Sequence, residues 1–211
     1  AGYHYFFGTY LRELLSRMDV TGALRELLAY YGKHRSLYAL RSMIYYMLPN
    51  ALKSRARLIG RNYLSRDFYE THRQHTRLPS TLFDARTVRE ALLHHFAYKL
   101  EHLLKWEDRN SMWFSLEARV PFLDYRLVEG TLALASNEIM RDGETKRVLR
   151  ESMRGILPET IRTRQDKIGF LTPEREWFRT PRLQKFVRDT LDSRSFRHQP
   201  YFDHKKCTML Y

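Results

Sequence analysis

Apolar residues recur at three- and four-residue steps along most of the chain, the spacing of a buried helical face rather than of a strand. Between residues 22 and 46 the series Leu24, Leu27, Leu28 and Tyr31 passes into Leu37, Leu40 and Ile44, with Met47 just beyond. It predicts two helices, with Gly32 between them and Pro49 closing the second. Thr87, Val88, Arg89 and Glu90 form a capping-box sequence, and Val88, Leu92, Phe96, Leu100 and Leu103 continue it as one helix that buries a face and leads to Trp106. No segment alternates with period two, and no internal repeat or low-complexity linker is present. The pattern predicts a mainly α chain.

The stretch 107–129, EDRNSMWFSLEARVPFLDYRLVE, breaks the rule. Charges and large apolar residues alternate irregularly, and Pro121 excludes an ordinary helix interior and pushes Val120 toward extended backbone. Asp124 stands at an N-cap position ahead of Tyr125, Leu127, Val128, Thr131 and Leu132. The expectation is helix, kinked connection, helix, with Glu117 and Arg119 at the kink. Further on, Asp142 and Gly143 mark a turn, and Thr145 and Lys146 open another helix with Val148, Leu149 and Met153 as its inner face.

Composition narrows the class. The chain has 211 residues with 43% hydrophobic content, enough for a globular domain rather than a disordered one. No apolar run has the length of a membrane span, no signal peptide is expected, and the one cysteine, Cys207, excludes an internal disulfide framework. The expected location is the cytoplasm. The formal net charge of +13 asks for an anionic partner or an acidic neighbour. Arg55, Arg57 and Arg61 interleave with Leu58, Ile59 and Tyr63 in a way that suits nucleic acid. Solvated helix faces explain the same residues with fewer assumptions, so a basic nucleic-acid-binding module ranks as an alternative. The histidines lack a second ligand pair, and no metal site is expected from them.

Three clusters stand out chemically. A lysine at a helix start, Lys146, meets the positive end of the helix dipole, and its ammonium with the free backbone N–H groups suits a phosphate. The competing reading has Asp142 and Glu144 neutralise it. Glu117 and Arg119 read either as a buried ion pair fixing the kink or, with Asp108, as groups that orient an amino acid substrate, Arg119 gripping a carboxylate in bidentate fashion. Lys167, with Arg164 in a basic loop, is a candidate for the phosphate side.

These runs carry a resemblance. DRNSMWFSLEARVPFLDYRLVE, then DGETK, LRE, LPETIRTRQDKIGF and TPEREW, resemble in order and spacing the synthetase domain of glutamine-hydrolysing asparagine synthetases, from about residue 82 to residue 177. Gly2 and Tyr3 resemble the end of that family's Gly-rich acidic loop. The resemblance implies the helical C-terminal portion of an adenine nucleotide α-hydrolase-like (Rossmann-like) domain, with most of its parallel sheet missing. Residues 1–211 are then one fragment of that domain, truncated at the N-terminus and also at the C-terminus. It implies ATP and Mg2+ as cofactors, aspartate activated as β-aspartyl-AMP, and amidation by glutamine-derived ammonia from a glutaminase domain of the same polypeptide, often in a homodimer. Lys146 matches the family's DGxxK lysine, implied to contact the ATP phosphates, and Asp108, Glu117 and Arg119 fall beside the acyl-adenylate. A related amidotransferase with another acceptor is a second alternative. The fragment alone is expected neither to bind ATP well nor to turn over.

Overall fold

The structure is a computed structural model that describes residues 3–59, 63–72, 81–166 and 172–210. In chain order its helices are α1 (Tyr5–Ser16), α2 (Val20–His34), α3 (Tyr38–Met47), α4 (Asn50–Ile59), α5 (Arg66–His72), α6 (Val88–His95) and α7 (Glu101–Trp113). There follow α8 (Tyr125–Ala133), α9 (Ser136–Ile139), α10 (Arg147–Ser152), α11 (Glu159–Arg162), α12 (Glu174–Trp177), α13 (Pro181–Asp192), α14 (Arg194–Arg197) and α15 (His204–Leu210). Among the described residues there is no strand, only two isolated bridges, Leu64 with Phe202 and Arg141 with Glu144. The chain forms two compact units, residues 1–48 with 78–165 and residues 49–77 with 166–211.

The first unit is built on α1. Phe6, Phe7, Tyr10 and Leu11 are buried along it and pack with Tyr30, Ala39, Val88, Ile139 and Met140. Gly8 decides how closely α3 can approach, because a Cβ there would sit 2.6 Å from the Ser42 Cβ and 2.8 Å from the Met43 nitrogen. The two backbones therefore touch through Gly8, Ala39 and Ser42, and dispersion contacts replace what larger side chains would have supplied. Glu13, also on α1, is buried, and its carboxylate accepts hydrogen bonds from the Val88 N–H at 2.8 Å and the Ser136 hydroxyl at 2.8 Å while pairing with Arg17. One buried acid thus satisfies an orphan donor at the start of α6 and ties down the start of α9.

Helix α6 begins as its sequence predicts. The Thr87 side chain accepts from the Glu90 N–H, and the Glu90 carboxylate returns to the Arg86 N–H at 2.7 Å. The expected single helix does run from Val88 to Trp113, but it contains a π-helical turn at Phe96–Leu100. Asp124 accepts from the Arg126 N–H as the N-cap of α8, and a 3-10 turn at Pro121–Leu123 precedes it. Helix, kinked connection and helix follow in the expected order.

Two expectations fail at α2 and α3. Gly32 does not separate two helices; α2 runs through it to His34 and stops at Arg35, whose φ is 49°. Carrying glycine in a helix costs about 1 kcal/mol, and the contacts of Lys33 and His34 with Glu144 and Gly143 hold the last turn in place. The stripe Leu24, Leu28, Tyr31, Leu37, Ile44 and Met47 is exposed rather than buried. The faces that do pack are Ala23, Glu26 and Tyr30 on α2 and Ala39, Ser42 and Tyr46 on α3, where small residues permit the close approach to α1.

The second unit closes the two ends of its own sequence on each other. The Ser65 N–H donates to the Tyr201 carbonyl at 2.9 Å and the Asp203 N–H to the Tyr63 carbonyl at 2.8 Å. Phe68 meets Tyr201 edge-on, Phe196 stacks on Phe202, and His204 Nε2 lies 2.9 Å from the Leu191 carbonyl. Pro181 begins α13, at the position where a missing N–H costs nothing. No helix among the described residues is long and apolar enough to cross a membrane.

Candidate functional site

The structure joins Glu117 and Arg119 in an ion pair of 2.5 Å, but their side chains are 70% and 83% exposed. The buried pair expected at the kink is therefore corrected to a solvent-facing one. Its cause is visible in the neighbours: Trp113, Phe114, Leu116, Val120 and Phe122 are themselves exposed, so no apolar wall surrounds the charges. Asp108 lies on the exposed surface of α7, where its carboxylate finds no ion-pair partner among the described residues. Asp124 is committed elsewhere. The Arg126 guanidinium, at 2.7 and 3.0 Å, holds its carboxyl below the usual aspartate range, with the Arg126 and Leu127 N–H groups adding to the effect.

Lys146 occupies the N-cap position of α10 with φ 57° and ψ 31°, left-handed backbone for a residue with a Cβ. Such a conformation is uncommon outside glycine and asparagine and persists where its surroundings over-determine it. The expected neutralising acids are taken: Glu144 accepts from Lys33 at 2.8 Å, and Asp142 pairs with Arg141 at 3.5 Å. The exposed Lys146 ammonium makes no hydrogen bond or ion pair with the described residues. The turn before it is tight, with φ 53° at Asp142, 74° at Gly143 and a 2.9 Å hydrogen bond from the Glu144 N–H to the Arg141 carbonyl. Two successive positive φ values make it the primed turn that Asp-Gly favours.

Arg150 extends this region. Its guanidinium donates to three main-chain carbonyls, Thr145 at 3.2 Å, Arg162 at 2.5 Å and Arg164 at 2.8 Å. The residue ahead of Lys146 is thereby stitched to the first half of the LPETIRTRQDKIGF run. Lys167, the phosphate-side candidate in that run, lies outside the described residues, as do Gly169 and Phe170.

A cavity of about 320 Å³ lies where the central stretch meets the start of the chain. Tyr3, Phe6, His95, Lys99, Phe122 and Val128 contribute to its wall, so the start of α1 and the residues after the kink share one space. The Lys99 ammonium sits over the rings of Tyr3 and Tyr5, 5.2 and 5.5 Å from their centroids. His95 Nδ1 donates to the Ala91 carbonyl at 2.8 Å. Burial pushes its pKa below the ordinary value, the carbonyl opposes that shift, and the positive charge of Lys99 adds to it. Lys146, Asp108, Glu117 and Arg119 do not line this cavity, and no hydrogen bond or ion pair links Lys146 to the other three.

The sequence pattern did not single out Lys99, His95, Arg150, Glu13 or Glu26. The two acids left a signal, as carboxylates at core-facing steps between Tyr10 and Leu14 and between Ala23 and Tyr30, and Arg150 lies within the LRE run. No group of three or more His, Cys, Asp or Glu suited to a metal ion occurs among the described residues. The side chains of Arg55 and Arg57, and all of Arg61, lie outside the described residues, so the nucleic-acid alternative gains nothing from the geometry.

Residues 1–211 match the family described as asparagine synthase. A segment of 93 residues is 41% identical to glutamine-hydrolyzing asparagine synthetase 3 of Bacillus subtilis (strain 168), covering 41% of this chain and 15% of that protein. A segment of 84 residues is 34% identical to glutamine-hydrolyzing asparagine synthetase 1 of the same organism, covering 40% of this chain and 13% of the relative. The chain thus matches about a seventh of the length of these curated relatives. No solved structure matches it.

Proposed function

The chain belongs to the asparagine synthase family, and from that premise we propose that it is the helical C-terminal part of a Rossmann-like synthetase domain in an ATP-dependent asparagine synthetase. In this reading aspartate is activated as β-aspartyl-AMP and amidated by ammonia derived from glutamine, in a cytoplasmic enzyme whose glutaminase domain belongs to the same polypeptide. A carboxylate resists attack until one oxygen becomes a good leaving group, and ATP supplies that group as AMP. The observation that carries the reading is Lys146, an exposed ammonium on left-handed backbone whose two neighbouring acids are paired elsewhere. A cation so left is available to an anion from outside the chain, and its assigned role is to offset charge as pyrophosphate departs.

The remaining residues take supporting roles. An exposed Glu117–Arg119 pair is weak because water screens it. A substrate carboxylate can therefore replace Glu117 on the Arg119 guanidinium in bidentate geometry. Tyr3, meeting the central stretch around one cavity, supports the expectation that the Gly-rich loop and the kink face the same substrates. Magnesium, in this reading, is carried chiefly by the phosphates of ATP, as is usual for an ion that keeps few protein ligands.

The test is amide synthesis by the synthetase that carries these residues, with ammonia, aspartate and MgATP. Lys146→Met is expected to lower kcat about 100-fold, the effect of deleting one charge-stabilising donor. A kcat within twofold of the parent would remove Lys146 from the mechanism. The isolated chain of 211 residues is expected to make no asparagine, and product above background would overturn the assignment of the nucleotide loop to other parts of the enzyme.

A further inference from the structure

The left-handed conformation of Lys146 has a built support. Helix α2 presents Glu26, Tyr30, Lys33 and His34 along one stripe, and three of these grip the turn that leads to Lys146. The Gly143 N–H donates to Glu26 at 3.2 Å, and His34 Nε2 lies 2.9 Å from the Gly143 carbonyl. A carbonyl only accepts, so this imidazole nitrogen carries its hydrogen and donates. Lys33 holds Glu144 at 2.8 Å. Gly143 is pressed so closely on α2 that a Cβ would lie 2.6 Å from the Ala29 carbonyl carbon and 2.6 Å from the Tyr30 nitrogen. On the other side Arg150 fixes the Thr145 carbonyl.

Glu26 makes the case specific. It is 1% exposed, and its second oxygen, Oε1, finds no hydrogen-bond donor among the described residues. A core chosen for stability alone would place an apolar residue there, because a half-satisfied buried carboxylate is unfavourable. Sites where a chain keeps such a residue tend to be functional ones.

We propose that Glu26 and His34 are positioning residues which, by holding both main-chain polar groups of Gly143, set the backbone of Lys146 and aim its ammonium at the phosphate chain. The proposal deepens the reading of Lys146 given above and rests on it. Lys146 sits three residues beyond the gripped glycine, so a turn that rotates or frays would swing the ammonium away while leaving the hydrophobic core intact.

The experiment uses the synthetase carrying this segment and measures kcat, KM for aspartate, and product inhibition by pyrophosphate and by AMP, with the melting temperature of each variant. Glu26→Leu and His34→Phe are expected to lower kcat about tenfold and to weaken pyrophosphate inhibition about tenfold, an order of magnitude taken from a misplaced charge-stabilising group. KM for aspartate and inhibition by AMP should stay within twofold. Glu26→Gln keeps an acceptor for the Gly143 N–H and His34→Gln keeps a donor for its carbonyl, so both should recover to within threefold of the parent. Should Glu26→Leu fail to fold, His34→Phe, which replaces one ring by another, decides the matter with its Gln counterpart. If pyrophosphate inhibition is weakened by Lys146→Met but unchanged by Glu26→Leu and His34→Phe, the positioning role is wrong. If it is unchanged by Lys146→Met as well, the fault lies with the reading of Lys146 itself.

Discussion

Buried ionisable groups show how single residues divide between support and chemistry. His95 packs at a tilt against Tyr5 and Phe6, donates to the Ala91 carbonyl, and has Lys99 and His94 among its charged or titratable neighbours. Its pKa is lowered, first by burial, so the folded chain holds the imidazole neutral while the unfolded chain protonates near pH 6.5. The unfolded state then binds more protons in the window between the lowered value and about 6.5, and stability falls as pH falls through it. Urea unfolding at a series of pH values should show this loss, and His95→Gln should flatten it; an unchanged slope in that variant would place the titration elsewhere. At this scale the sequence was legible where a residue acts on its own backbone. Thr87 and Asp124 cap because their oxygens reach a donor two or three positions on. It was not legible where the partner comes from far along the chain. Glu13 with Ser136, Glu26 with Gly143 and Lys33 with Glu144 are pairs separated by more than a hundred residues, and only the fold decides that Asp142 and Glu144 leave Lys146 alone.

At the level of elements, helix existence followed from periodicity, whereas the choice of buried face did not. The larger apolar faces of α2 and α3 look outward because α1 is drawn in over the smaller faces, through Gly8, Ala39 and Ser42. Hydrophobic spacing counts apolar area and ignores how near two backbones can come. Gly8→Ala is the direct measure of that approach: the added methyl meets the Ser42 Cβ and the Met43 backbone nitrogen. Overpacking of this kind costs about 1–3 kcal/mol, read as a lower urea midpoint with an unchanged slope. Adding Ser42→Gly should recover only part of the loss, because the backbone nitrogen stays. Full recovery would mean that the side chain alone sets the spacing. The π turn at Phe96–Leu100 is another feature that spacing missed. Its extra residue shifts the register between Leu92 and Leu103, and it falls on the wall of the cavity that Tyr3 and Phe122 share.

For the molecule as a whole, family and helical content were readable because the signature runs are local strings, while the surroundings of the site depend on what covers them. Trp113, Phe114, Leu116, Phe122 and Tyr125 are all exposed, and Trp113 keeps 83% of its surface in water. Large apolar side chains left in water in this number favour association. The isolated chain should therefore bind a hydrophobic dye and show concentration-dependent association by ultracentrifugation. Replacing Trp113, Phe114 and Leu116 together by serine should suppress both and leave stability within about 0.5 kcal/mol per site. Dye binding that survives the triple change would point to the outward apolar residues of α2 and α3, such as Leu24, Leu28, Ile44 and Met47. The division into two units also sets a timetable for synthesis. Residues 1–48 share their unit with 78–165, so the core around α1 stays incomplete until Met140 has been translated, about 90 residues after α3. At about 5–20 residues per second that is a wait of roughly 5–20 s, during which a nascent chain carries an unfinished apolar core of the kind that ribosome-associated chaperones shield.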